Sequence, residues 1–315
     1  MPEPIRIDSH VHLYRSVEEG TAEKNGYQVW EYGQKDDVAV SAYPGTVDDI
    51  LEAMRDSGMD KSVVVNLFIA QEYRAAEINK LPEQLSEAKK RLALGEIDEM
   101  VVAQLKEFNR WICGVAQEHP EIVPFVGADM TALSGASCAE HVTDLVENYG
   151  AHGVKLHAAA GGFDMSDRQL WPMYSVCEDL GVPIIGHSGP DRGGAGLAEP
   201  RAFGHMLREF PRLTVVLAHM GGATWSQALE IAETYPNAFF DCCEIIEWTG
   251  GTNAPSEEQL AKLIRDIGPH RVMMGSDFPW YDLGHTVERV MELPLLSIEE
   301  KEGILGANAL NILNL

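Results

Sequence analysis

Eight short apolar runs, each separated from the next by a longer amphipathic stretch, constrain the fold of this chain of 315 residues more than any single motif does. The runs are residues 5–10, 62–67, 122–128, 153–157, 183–187, 214–219, 238–242 and 271–276. Short, β-branched and bounded by turn residues, they read as buried strands. Helical patterns lie between them at 46–57, 85–118, 139–149, 167–180, 200–210, 224–235, 256–267 and 285–293. The first opens with Thr46 as N-cap and Asp48 and Asp49 in its first turn, and Gly58 ends it. Repeated strand–helix alternation predicts a parallel sheet with right-handed crossovers. Eight units favour a closed (β/α)8 TIM barrel, α/β in class, read as one domain over 1–315. A hydrophobic content of 45% suffices for so large a core.

Two excursions interrupt the rhythm. Residues 14–45 follow strand one and carry Tyr27, Trp30, Tyr32 and Tyr43 among charges. A loop this long is functional or disordered, and the aromatics favour an ordered lid over the barrel mouth. Residues 72–99, after strand two, are charged and read as an extended helical arm. Such an arm is a solvated helix or an oligomer contact, so a homodimer is one expectation.

The formal net charge is −25, from 24 basic and 49 acidic residues. That argues against nucleic acid and against an anionic membrane as partners. A small-molecule substrate remains open, because a metal or one Lys or Arg can reverse the field in a single pocket. Cysteines stand at 113, 138, 177, 242 and 243, with no CxxC spacing. They read as reduced core residues, adjacent Cys242 and Cys243 being poor zinc ligands and a poor disulfide. Met1-Pro2-Glu3-Pro4 has no basic or long apolar segment, so a signal peptide is not expected. No run reaches the roughly 18 apolar residues of a membrane helix. The expected class is a soluble cytoplasmic enzyme.

The strand ends carry the chemistry. In Asp8-Ser9-His10-Val11-His12, alternation puts Asp8, His10 and His12 on one face. His187 closes strand five, His219 closes strand six, and Asp277 follows strand eight. In a barrel of this kind His10, His12, His187, His219 and Asp277 all reach the C-terminal rim, where active sites lie. Neutral imidazole and carboxylate suit Zn2+, with Mn2+ or Fe2+ as alternatives. His10, His12, His187 and Asp277 are the expected metal ligands. Strand four adds Lys155 and His157 on one face. A buried lysine needs a partner or a modification. Lys155 could be carboxylated and bridge a second metal, bind a substrate carboxylate, or pair with Asp8 or Asp129. His157 is a substrate contact or a substitute ligand.

Together, Asp8-x-His10-x-His12, Gly153-Val154-Lys155-Leu156-His157, His187-Ser188-Gly189, Ala218-His219-Met220-Gly221-Gly222, Gly275-Ser276-Asp277-Phe278-Pro279 and Gly306-Ala307-Asn308-Ala309 resemble the amidohydrolase superfamily. The similarity is to the amidohydrolase-related branch that includes aminocarboxymuconate-semialdehyde and γ-resorcylate-type decarboxylases. It covers nearly the whole chain. It implies a metal-dependent barrel enzyme with one ion, or two if Lys155 is carboxylated, and His219 beside the metal as acid/base or transition-state stabiliser. The family hydrolyses amides and lactones, hydrates double bonds, or removes CO2 from aromatic and muconate acids. The main expectation here is a hydrolase acting on a small carboxylated or aromatic amide or lactone. Asp277 would take the proton of a metal-activated water. The alternative is a non-oxidative decarboxylase; hydration or an inactive binding barrel ranks below. Phe68, Phe163, Trp171, Trp248, Phe278 and Trp280 would suit a planar ring, with core packing as the bland alternative for about half of them. Trp280 and Arg192 are the expected substrate contacts, Arg192 as a bidentate carboxylate clamp.

Overall fold

In the computed structural model of the chain, residues 4–26 and 29–315 are described. Tyr27 of the aromatic excursion and the first three residues lie outside them. Eight parallel strands run in sequence order around one sheet. They are β1 (Ile7–Val11), β2 (Lys61–Val65), β3 (Ile122–Ala128), β4 (Gly153–Leu156), β5 (Ile184–Gly186), β6 (Val215–Leu217), β7 (Ala238–Asp241) and β8 (Val272–Met273). Every expected run is present, and β3 matches its expected bounds. β1 starts two residues later than expected and runs on to Val11; the other six stop short of their expected ends, where the chain leaves the ladder to form the rim. After β8 the chain turns to β1 and closes the barrel. Met274 O accepts from Ser9 N at 2.9 Å, His10 O from Asp277 N at 2.9 Å and Phe278 O from His12 N at 2.7 Å.

The barrel floor is apolar. Ile7, Val63, Val65, Phe125, Ile185, Val216 and Met273 form an interior cluster that Ala309, Ile312 and Leu313 plug from below. Lys155 stands in register with Ile185, and Ile185 with Val216. It is therefore the polar member of an apolar layer, directly under the rim. A second, larger cluster fills the space between sheet and helices.

Helices α1 (Val17–Gly26), α2 (Val47–Ser57), α3 (Ala70–Ile78), α4 (Glu87–Glu118) and α5 (Gly135–Tyr149) follow in order. Thr46 caps α2 in a capping box with Asp49, and Gly58 ends it in the left-handed conformation. The charged arm is not one extended helix. It is two, α3 and α4, joined by residues 79–86. Pro82 lacks an N–H and disfavours helix in the residue before it, and Ser86 restarts the chain as the N-cap of α4. Arg74 Nε then ties α3 back to Asp98 of α4 at 2.7 Å. Buried Asn109 of α4 bonds both backbone groups of Gly127 in β3, each at 2.8 Å. No helix among the described residues is long and apolar enough to cross a membrane.

The described residues of 14–45 are ordered. They begin with α1 and then cross the mouth. Val40 bridges Tyr281, Asn253 N bonds Tyr32 O at 3.1 Å, and buried Tyr32 stacks on Trp248 at 5.6 Å.

Candidate metal centre

β1 delivers His10 and His12 to the rim, both almost wholly buried. Asp277 reaches them from the opposite side of the closure. Its Oδ1 lies 3.1 Å from His12 Nε2 and 3.7 Å from His10 Nε2. Donors around one tetrahedral zinc stand about 3.3–3.6 Å apart at ordinary bond lengths; Asp277 lies near that spacing from each histidine, while His10 and His12 do not close a group of three donors within 4.8 Å with it. Proton placement fits an ion. Asp241 Oδ2 accepts from His10 Nδ1 at 3.0 Å, which holds the proton on Nδ1 and leaves the Nε2 lone pair facing the cluster. Cys243 O accepts from His219 Nδ1 at 3.2 Å and does the same for His219. Burial lowers the pKa of His10, His12 and His219, so all three are neutral imidazoles suited to a cation.

His157 is different. Its Nδ1 accepts from Ala160 N at 3.2 Å. Burial and the Lys155 charge lower its pKa, so the ring is neutral and the proton sits on Nε2. His157 therefore presents an N–H donor instead of a ligand lone pair. Its ring stacks on His187 at 3.8 Å, and His187 meets His219 edge-on at 4.9 Å. The five histidines form one row, 12–10–219–187–157. Among the described residues, no group of three donor side chains within 4.8 Å of one another includes His12 or His187.

Lys155 does not pair with Asp8 or Asp129. Asp8 accepts from Ser276 N and Oγ and from His10 N, which pins the β8 turn to β1. Asp129 accepts from Ala70 N, Thr131 N and Thr131 Oγ1. Both carboxylates are committed to shaping backbone. Lys155 Nζ instead meets His10 Nε2 at 3.0 Å. Burial lowers its pKa, while Asp241 and Asp277 favour its charge. Burial pushes the carboxyl of Asp277 up to about 7, against the pull of Lys155. A bound cation would draw it back down.

Trp280 forms a wall, edge-on to His12 at 4.7 Å. Arg192 is at the mouth: exposed, on the loop after β5, with its guanidinium over the Trp30 ring at 5.5 Å. The contact joins the β5 loop to the lid. Of the six non-glycine residues with positive φ among those described, His219, Met220, Glu244 and Asp277 crowd this rim. Backbone strain concentrates where the donors are aimed.

Three residues of the site, Asp241, Glu244 and Glu31, were not singled out in the sequence, and Cys243 was read there as a core cysteine. Asp241 was visible as the one acid inside the apolar run Ala238-Phe239-Phe240. Cys243 lies within 4.8 Å of donors on His10 and Asp277, and also of donors on His219 and Asp241. Burial and neighbouring carboxylates raise its pKa. Glu244 hydrogen-bonds Asp277, and Glu31 descends from the lid onto Glu244. Gly222 admits Glu31: a Cβ there would stand 2.7 Å from Glu31 Oε1. No local signal marks Glu31, whose neighbours come from distant strands.

The sequence profile of the family described as Amidohydrolase matches residues 7–315. A 2-amino-3-carboxymuconate-6-semialdehyde decarboxylase from Dictyostelium discoideum is 26% identical over 238 residues, 66% of this chain and 65% of that protein. The matched segment thus spans just under two thirds of that relative's length. A 5-carboxyvanillate decarboxylase from Sphingomonas paucimobilis superposes with a TM-score of 0.67 at 16% identity, over 99% of this chain and 100% of the other. A dihydroxybenzoic acid decarboxylase from a Polaromonas species, solved with bound manganese and an inhibitor, gives 0.67 at 14% identity, over 98% and 97%. At these identities the structural likeness speaks for the fold.

Proposed function

The chain belongs to the amidohydrolase family, and from that membership we propose that it is a metal-dependent carboxy-lyase acting on a small aromatic or muconate-type acid. The observation that carries this over hydrolysis is the sequence match to a protein named as a decarboxylase. The site supports it through the donors on β4. Lys155 gives a buried positive charge, and His157 gives an N–H, both beside the donor cluster. That pair suits a substrate carboxylate.

His10, His12, His187 and Asp277 would hold the ion, zinc in our reading. When bound, it supplies Lewis-acid polarisation of substrate oxygens. His219, with its proton fixed on Nδ1, offers Nε2 as the base for a substrate hydroxyl. Asp277 delivers a proton to the carbon that bears the carboxylate. The bond from that carbon to the carboxylate then breaks, its electron pair stays with the carbon skeleton, and CO2 leaves. His219 returns its proton to the product oxygen, and solvent restores the proton to Asp277. Trp280 and the lid segment exclude water from the reacting carbon.

Hydrolysis is the second reading, favoured by the family's own description. There Asp277 would accept a proton from the attacking water. Metal-loaded protein supplied with carboxylated aromatic and muconate-type acids should release CO2 in proportion to substrate consumed. Turnover of amides or lactones without CO2 from any acid would overturn the carboxy-lyase reading.

A further inference from the structure

Cys242 and Cys243 follow β7 as adjacent residues, yet they face different surroundings. Cys242 packs into the apolar cluster between sheet and helices. Cys243 turns to the rim. Its Sγ, a His10 ring nitrogen and an Asp277 oxygen all lie within 4.8 Å of one another. Gly275 makes room for this. A Cβ there would stand 2.6 Å from His10 Cβ and 3.0 Å from Cys243 Cβ, so the bare backbone just after β8 lets both side chains converge. The Cys243 carbonyl also orients His219. Thiolate is the softest donor in the group, and soft donors discriminate zinc and cobalt from manganese.

We infer that Cys243 is a sulfur ligand of the metal centre and biases it toward zinc over manganese. The inference rests on the metal-dependent reading above. On binding, the S–H bond breaks, an Sγ–metal bond forms, and the proton passes to solvent.

The test is cobalt loading of the metal-free protein followed by absorption spectroscopy. Wild type should show both the visible d–d bands of bound Co2+ and a near-ultraviolet thiolate-to-cobalt charge-transfer band. Cys243→Ser should keep the d–d bands and lose the charge-transfer band. Cys242→Ser should keep both, provided circular dichroism shows each variant folded. In competition, Cys243→Ser should lose roughly tenfold or more of its preference for zinc over manganese. Cobalt d–d bands without charge transfer in wild type would overturn the sulfur ligand and leave the metal centre standing. So would a charge-transfer band that survives in Cys243→Ser. Wild type that binds no cobalt or zinc at all would overturn the metal-dependent reading itself.

Discussion

His10 and Asp241 form a fully buried pair in which Nδ1 donates to Oδ2 at 3.0 Å, while the other Asp241 oxygen accepts from His219 N at 2.7 Å. One carboxylate thus sets the tautomer of one candidate ligand and the backbone of another. Asp241→Asn can keep only one of these bonds. If its oxygen stays with His219 N, its NH2 faces His10 Nδ1. The His10 proton then moves to Nε2 and blocks the lone pair that faces the cluster. Zinc affinity should fall about 10–100-fold with the fold retained, read by calorimetric titration of metal-free protein. Unchanged affinity would show that Asp241 does not set the tautomer.

Glu31 supplies a pH dependence. It is 7% exposed, and burial with the nearby Glu244 charge pushes its carboxyl from 4.5 up to about 9. The folded protein therefore keeps a proton that the unfolded chain releases above pH 4.5. Stability from this group is whole below pH 4.5 and declines as pH rises toward about 9, with a slope of at most about 1.4 kcal/mol per pH unit. Glu31→Gln cannot ionise. Its melting temperature should match wild type near pH 4 and exceed it increasingly up to pH 9. Parallel melting curves across that window would place the titration elsewhere.

The strand ends were legible because a period of two and a closing polar residue are local properties. His10, His12, His219 and Asp277 could be placed at the rim from spacing alone, and the structure gathers them there, with Lys155 in the layer beneath. Proton direction was not legible. That His157 presents N–H while His10 and His219 present lone pairs depends on Ala160, Asp241 and Cys243, which meet them only after folding. Cys242 and Cys243 were weighed as a pair, and both are buried free cysteines; their different surroundings, the apolar cluster for Cys242 and the His10 and Asp277 donors for Cys243, arise only on folding. The contact of Arg192 with Trp30 was not legible, because it depends on how the lid crosses the mouth. The arm after β2 was over-extended because charge pattern outweighed Pro82.

His157 offers a clean separation of binding from ligation. His157→Phe keeps an aromatic ring against His187, where the two rings stack at 3.8 Å, and removes the Nε2 donor together with the Nδ1 acceptor. The bond from Ala160 N is solvent-accessible and costs little to lose. Metal content should stay as in wild type, while KM for a carboxylated substrate rises about 10–100-fold and kcat changes far less. Loss of metal in this variant would make His157 a ligand.

Asp277 carries the most mechanism. Its backbone is fixed independently of its side chain: Asp277 N bonds His10 O at 2.9 Å, and φ is 59°. Asp277→Asn should therefore fold with the same turn. It keeps an oxygen that can face His10 and His12, so metal should bind more weakly but still load at excess. It cannot hold or release a proton near neutral pH. Turnover should fall about 10²–10⁴-fold in metal-saturated protein, whether CO2 is released or an amide is hydrolysed, because both routes pass a proton through this carboxyl. Metal analysis on the assayed sample separates loss of chemistry from loss of ion. Near-normal turnover by metal-saturated Asp277→Asn would move the proton to His219, the neighbour whose Nε2 faces the same cluster.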